Sequence, residues 1–299
     1  MSHVLTLIAP PGGLSPATLA RLRDALAALG ATPGTPDWLA PSEAADLPFA
    51  GLNPDQATAA ARAALGAEPV DAIAQPAGGR RKSLLIADMD STIVTSETLD
   101  ELASYAGLKD RVAEITRQSM NGELDFAAAL RARVAMLRGL GLDALEATWQ
   151  QTHLMPGARA LIRTMAANGA HCALASGGFT FFTARVAALC GFHSHHANTL
   201  LDDGKSLTGE VAEPVFDRDA KLATLTRLAA EKALPLSATL AVGDGANDLA
   251  MLGAAGLGIA YRAKPIVAAA ARARVDQADL RALLYAQGYR AADIAPDSD

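Results

Sequence analysis

Three short apolar runs constrain this chain most. Ser83 to Ala87 (Ser-Leu-Leu-Ile-Ala), Ala170 to Ala175 and Thr239 to Val242 each have strand length and run directly into polar residues. Near-continuous apolar character is what a strand buried on both faces requires. Helical patterns separate the runs, from Pro156 to Gly169, from Phe179 to Cys190 and from Asp217 to Ala233, and Leu257 to Tyr261 reads as a fourth strand. Strands alternating with helices predict an α/β fold with a parallel, doubly wound sheet. Such sheets build their sites beyond the carboxyl ends of the strands. The three runs end there in Asp88-Met89-Asp90-Ser91-Thr92, in Ser176-Gly177-Gly178 and in Gly243-Asp244-Gly245-Ala246-Asn247-Asp248.

The interval from about 95 to 153 holds helical patterns and no strand, and it is too long for a simple crossover. It predicts an inserted helical cap. Ser96 is placed to cap a helix carrying Leu99, Leu102 and Ala103, Asn121-Gly122 breaks the pattern, and a further helix begins near Asp125. Asn198 to Val211 reads as a hairpin turning at Asp202-Asp203-Gly204.

Residues 1–80 form a different unit. Val4 to Ala9 reads as a strand, Ser15-Pro16 opens a helix that Gly30 closes, Asn53-Pro54 opens another, and Val70 to Ala74 reads as a strand. Trp38 to Phe49 is crossed by prolines and is ambiguous. This predicts a small α+β domain. Gln75 to Lys82, with Pro76, two glycines and Arg80-Arg81-Lys82, predicts a solvated linker leading to a second domain over 81–299.

Composition removes several function classes. Of 299 residues 51% are hydrophobic and the formal charge is −6, which excludes a disordered chain. A pI near 5.5 argues against a general nucleic-acid binder. No apolar run approaches the roughly 18 residues of a membrane span. Met1-Ser2-His3-Val4 lacks the cationic stretch of a secretory signal, and two cysteines, Cys172 and Cys190, cannot make a disulfide framework, so a cytoplasmic protein is expected.

Asp88 and Asp90 are two residues apart, so in a continued strand both would face one side. Asp244 adds a carboxylate across the crevice. Such concentrated charge calls for a hard divalent cation, of which Mg2+ is the usual partner of carboxylates and phosphate. Lys221, Ser176 and the Gly177 amide add donors suited to a phosphoryl group. A carboxylate beside such a group can act as its nucleophile. Each element alone has an ordinary explanation: Gly-Asp-Gly is usually a turn, and a helical lysine is usually solvated. All four in order, three of them at ends of apolar strands, make coincidence a poor account. His193, His195 and His196 lack acidic or Cys partners at ligand spacing and read as a surface loop.

In this order the motifs resemble those of the haloacid-dehalogenase superfamily. The blocks Glu97, Gly122-Glu123-Leu124-Asp125-Phe126 and Arg131-Ala132-Arg133-Val134 are similar to its phosphoserine-phosphatase family. The resemblance covers about 83–290. It implies Mg2+-dependent hydrolysis of O-phospho-L-serine through an aspartyl-phosphate, the last step of serine synthesis. It implies Asp88 as nucleophile and metal ligand, and Asp90 as general acid and then base, with its main-chain carbonyl on the metal. Asp244 would be the third metal ligand and Asp248 would orient the metal shell or Lys221. Ser176, Gly177, Lys221 and Asn247 would hold the phosphoryl group. Glu97 would pair with the substrate ammonium, Arg133 would grip its carboxylate, and Met120 and Phe126 would form an apolar lid. The same resemblance implies a homodimer and an N-terminal unit of the amino-acid-binding ACT type, with βαββαβ order. Serine regulation and a purely structural role for that unit both stay open. The competing functions are a phosphatase or phosphotransferase for another small phosphomonoester, and a non-catalytic amino-acid sensor.

Overall fold

The computed structural model describes residues 2–298. The N-terminal unit runs β1 (His3–Ile8), α1 (Pro16–Ala28), β2 (Thr32–Pro33), β3 (Asp37–Ala40), β4 (Ala44–Ala50), α2 (Pro54–Leu65) and β5 (Asp71–Pro76). Both helices start where the caps say they should. Ser15 accepts the N–H of Thr18, Asn53 accepts that of Gln56, and a proline follows each cap. The sheet order is β2-β4-β1-β5, with β3 also pairing β4. The ambiguous stretch is therefore two strands. Pro48 lies inside β4, opposite Val4 of β1. Its carbonyl accepts from Gly34 on the other side, so its missing N–H faces the gap where β2 ends and β3 has not begun. A proline is tolerated in an inner strand at such a break.

The second unit begins with β6 (Leu84–Ala87), after which the chain leaves the sheet for α3 (Thr98–Ser104), α4 (Lys109–Met120), α5 (Phe126–Ala135) and α6 (Asp143–Gln150). A bridge between Val94 and Leu154 and the bond from Thr95 N–H to His153 O close the neck of this insertion. The chain then runs α7 (Ala158–Ala167), β7 (His171–Phe179), α8 (Thr180–Cys190), β8 (Ser194–Asn198), β9 (Leu200–Asp202), β10 (Leu207–Val211), α9 (Arg218–Glu231) and β11 (Thr239–Gly243). It ends with α10 (Leu249–Ala254), β12 (Leu257–Tyr261), α11 (Pro265–Ala270), β13 (Ala273–Val275) and α12 (Ala282–Ala286). The six-stranded sheet has the order β13-β12-β11-β6-β7-β8, and every pairing in it is parallel.

Alternation within β6 shows why its sequence is apolar throughout. Leu85 and Ala87 join the core on one face of the sheet, and Leu84 and Ile86 join the core on the other. The order in which strands are added reverses at β6, with β7 and β8 laid on one side and β11 to β13 on the other. That switch point opens the crevice described below. The β9–β10 hairpin is part of the cap's support: Gly139 N–H donates to Leu207 O and Leu207 N–H to Leu140 O, between the hairpin and the chain after α5.

Two expectations hold only in part. Of the three histidines only His193 sits in an exposed loop, just before β8. His195 and His196 belong to the edge strand β8, which has no apolar run to announce it. The His193 ring stacks on His171 with centroids 4.9 Å apart and accepts the N–H of Cys172, and His195 meets Thr183 Oγ1 at 3.0 Å. Gln75 to Lys82 is likewise solvated only in part: Pro76 to Gly79 and Arg81 are exposed, but Gln75 and Lys82 are buried. Arg80 binds Asp46 through both terminal nitrogens and donates to the carbonyls of Tyr285 and Ala286. Arg81 lies over the Tyr289 ring, and the buried Lys82 donates to Gly79 O and Ser237 O. The strap is pinned because the N-terminal sheet has two apolar faces. Leu5, Leu7 and Leu47 pack under α1 and α2, while Ile8, Leu39, Ala44 and Ile73 join the core of the larger unit. No helix among the described residues is long and apolar enough to cross a membrane.

Candidate active site

Asp88 follows β6 and Asp244 follows β11, Ser176 lies in β7, and Lys221 lies in the first turns of α9. The Asp217 side chain caps α9 by accepting the N–H groups of Asp219 and Ala220, which fixes where Lys221 projects. Lys221 is fully buried, with Nζ 2.7 Å from both Asp88 Oδ1 and Asp248 Oδ1. The Asp248 contact is an aligned hydrogen bond, whereas the Asp88 contact is a close ion pair without that alignment. Burial alone would push Lys221 down, but the two carboxylates outweigh it and hold the ammonium above its ordinary range.

Both oxygens of Asp248 are engaged. Its Oδ2 accepts the backbone N–H groups of Asp244 and Gly245 at 3.1 and 3.0 Å. Thr92 donates to Asp244 Oδ1 at 3.0 Å, and Lys264 approaches Asp244 Oδ2 at 3.7 Å. Asp88, Asp244 and Asp248 each offer a buried carboxylate oxygen, all within 4.8 Å of one another. Burial first, then repulsion from Asp248, pushes Asp88 up; burial, then Glu97 and Asp88, does the same to Asp244. A divalent cation offsets that repulsion, and this donor set fits one: hard oxygen ligands with only partial compensation from lysines.

The Asp90 carboxylate points elsewhere. Its Oδ1 accepts the Thr98 N–H at 2.8 Å, at the start of the first cap helix, and its Oδ2 lies 3.3 Å from Ser176 Oγ. Burial, followed by the nearby Glu97 carboxylate, raises Asp90 to about 7. Ser96 does not cap that helix. Glu97 occupies the cap position without bonding to it, because its Oε1 instead accepts Ser91 Oγ at 2.6 Å. Ser91 reaches Glu97 from a left-handed backbone, φ 55°, which costs a non-glycine residue roughly 1–2 kcal/mol.

Arg133 is 3% exposed and has no carboxylate within ion-pair distance among the described residues. Its Nη1 donates to Thr116 Oγ1 at 2.8 Å, Thr116 donates to Asp100 Oδ1 at 2.6 Å, and its Nε donates to Ala129 O. Burial lowers Arg133 and raises Asp100 to about 6. The Asn247 Oδ1 is buried without a partner, and its Nδ2 lies on the side of Gly177.

These groups share one chamber. Asp88, Asp90, Glu97, Met120, Phe126, Arg133, Ser176, Gly177, Asp244 and Asn247 all line it. Its free volume is about 20 Å³, room for about one water, so the cap is closed over the core. Gly177 makes the closure possible, since a Cβ there would stand 2.5 Å from the Phe126 ring. Lys221 and Asp248 are not among the chamber's lining residues, and Lys221 Nζ adjoins it beside Asp88 Oδ1. Sequence reading missed Ser91, Thr92, Lys264, Thr116 and Asp100 as working residues. Thr92 stands in the first polar block and Lys264 follows the fourth strand, so position could have flagged both. Nothing in the sequence ties Thr116 to Arg133, because the two meet only when α4 and α5 pack.

Comparison with known proteins places the chain in a family. The family of haloacid dehalogenase-like hydrolases matches residues 85–253, more than half of the chain. A phosphoserine phosphatase of Streptomyces coelicolor is 42% identical over 80% of this chain, and the match spans 58% of that protein's length. The chain thus covers little more than half of that curated relative. A solved structure described as a phospho-aspartyl intermediate analogue of phosphoserine phosphatase is 38% identical, with a TM-score of 0.65 over 68% of this chain and 98% of that one. A hydrolase of the same family from Salmonella enterica serovar Typhi is 28% identical and superposes with a TM-score of 0.82, covering 95% of this chain and 98% of that one.

Proposed function

Since the chain belongs to the family of haloacid dehalogenase-like hydrolases, we propose that it hydrolyses O-phospho-L-serine to L-serine and phosphate. One observation carries the substrate: the chamber that holds Asp88 and Asp90 at one end also holds Arg133, buried and without a carboxylate partner. A buried guanidinium costs several kcal/mol to desolvate unless an anion meets it. The substrate carboxylate is that anion, bound by a two-pronged hydrogen bond, and Glu97 receives the ammonium.

Asp88 attacks phosphorus in line, and the bond from phosphorus to the seryl oxygen breaks. Asp90, raised to about 7, gives its proton to that oxygen. Asp90 then takes a proton from the water that attacks the aspartyl-phosphate, and the bond from phosphorus to Asp88 breaks. Lys221, Ser176, the Gly177 amide and Asn247 hold the phosphoryl oxygens. Met120 and Phe126 exclude bulk water. The cation is Mg2+, which would be held by Asp88, Asp244 and the main-chain carbonyl of Asp90, with Asp248 orienting Lys221 and the Asp244 backbone. When bound it neutralises the phosphoryl charge.

The test is a panel of phosphorylated amino acids and simple phosphomonoesters, assayed for phosphate release with Mg2+ and with chelator. Phosphoserine should dominate and chelator should abolish release. Equal turnover of esters lacking the amino-acid head would overturn the assignment.

A further inference from the structure

A second cavity, of about 120 Å³, lies where the N-terminal unit meets the larger one. Arg62 at the end of α2 and Asp71 at the start of β5 line it from one side, and Arg274 and Asp276 from β13 and the loop after it line it from the other. It is far too large to be a packing defect for one water and is polar.

Its carboxylates are committed. Asp71 accepts the backbone N–H groups of Asp276, Gln277 and Ala278, bonds that tie the two units together. Glu68 takes Arg21 and the Thr18 hydroxyl, and Asp276 takes Arg274 Nε at 3.0 Å. Arg62 is not matched in this way. Its Nη2 is buried and has no hydrogen-bond partner. Burial first, and then the positive charge of Arg274, makes its protonated state harder to hold. Two guanidinium groups of like sign thus share one cavity; the Asp276 and Asp71 carboxylates attract Arg62 but spend their hydrogen bonds elsewhere, and an unpaired buried donor costs about 1–3 kcal/mol, more when charged. What offsets both is a small anion with several acceptor oxygens, since the guanidinium fork matches carboxylate and phosphate geometry.

We propose that this cavity is a binding site for a small oxyanion, a phosphate or carboxylate group held between Arg62 and Arg274, which clamps the N-terminal unit to the core. The site is separate from the catalytic chamber and does not rest on the phosphatase assignment.

The test uses the full chain with its arginines labelled with nitrogen-15. Their Nε–H signals are followed during titration with inorganic phosphate, malonate or chloride at constant ionic strength. Substitutions Arg62→Gln and Arg274→Gln assign the two signals. Phosphate or malonate should move both signals along one binding curve, and chloride should not. The stronger of the two names the oxyanion class. In Arg62→Gln the Arg274 response should weaken by roughly 10-fold or more, with turnover of phosphoserine unchanged. Arg274→Gln should weaken the Arg62 response equally. The oxyanion should also raise the melting temperature of the unsubstituted protein more than that of Arg62→Gln, in which only the catalytic chamber still binds it. A response confined to Arg133, or an Arg274 response that survives Arg62→Gln, would overturn the proposal.

Discussion

The two ends of the catalytic chamber are built on opposite plans. At the core end every charged side chain already has a partner, and a cation would complete the balance: Lys221 sits between Asp88 and Asp248, Asp248 also holds two backbone amides, and Thr92 braces Asp244. At the cap end, among the described residues, Arg133 has hydroxyl and carbonyl partners but no carboxylate, and the Glu97 side chain has only Ser91. The first arrangement is rigid before substrate arrives, as electrostatic preorganisation requires. The second is completed by the ligand, which is how a site rejects molecules that leave its buried groups unpaired. Under the proposed function, chemistry and choice thus fall to separate structural layers.

Substitutions can break this contrast. Asp88→Asn removes the nucleophile and leaves the Lys221–Asp248 pair intact. Phosphate release should fall by about 10⁴-fold or more while the melting temperature shifts little. Residual activity above a hundredth would mean that the core end is not the seat of reaction. Arg133→Ala should cost roughly 10²–10³-fold in kcat/KM for phosphoserine and less than about threefold for an aryl phosphate, read by parallel kinetics. Equal losses on both substrates would merge the two layers into one.

The pH profile joins the ends, because a cap residue helps set the proton affinity of a core residue. Asp90 is raised to about 7, so it carries its proton below that pH and loses it above. Donation to the leaving oxygen requires the protonated form, so kcat/KM should decline about 10-fold per unit as pH rises past that value. Glu97→Gln removes the second cause of the rise and should move this descending limb to lower pH. A limb that stays in place would show the ends to be electrically independent. The smallest effect belongs to Ser91→Ala, which frees Glu97 to turn. KM for phosphoserine should rise by roughly 3–10-fold with kcat nearly constant, since one hydrogen bond to a charged group is lost.

The same contrast governs what could be read from the sequence. The core end is written locally: a buried strand is a contiguous apolar run, and the residue that follows it is at the crevice, so Asp88, Ser176 and Asp244 are legible from position alone. Lys221 is legible as a member of that set. The cap end is written across packed helices. Glu97, Arg133, Met120 and Phe126 came from family resemblance, and their supports Ser91, Thr116 and Asp100 carry no local pattern. Ser96 misled for a related reason. It has the right side chain for a cap, but the first free amide of that helix, Thr98 N–H, is met by Asp90 from another element. The histidine strand β8 and the pinned strap were legible only in part because polar side chains on an edge strand or a charged segment look solvated until their partners are known.

The strap has a consequence for how the chain reaches this structure. The inner face of the N-terminal sheet, with Ile8, Leu39, Ala44 and Ile73, is covered by the segment that includes Leu283, Leu284 and Tyr285, and α12 packs on β1. Arg80 and Gln75 likewise find their carbonyls only at Tyr285 and Ala286. During synthesis the N-terminal unit emerges first, yet its apolar sheet face has no cover until more than 200 further residues have followed. At about 5–20 residues per second that interval is on the order of 10–40 s. For that time a nascent chain carries a bare sheet surface, and it is then, rather than in the finished molecule, that association with a chaperone or with another nascent copy competes with folding.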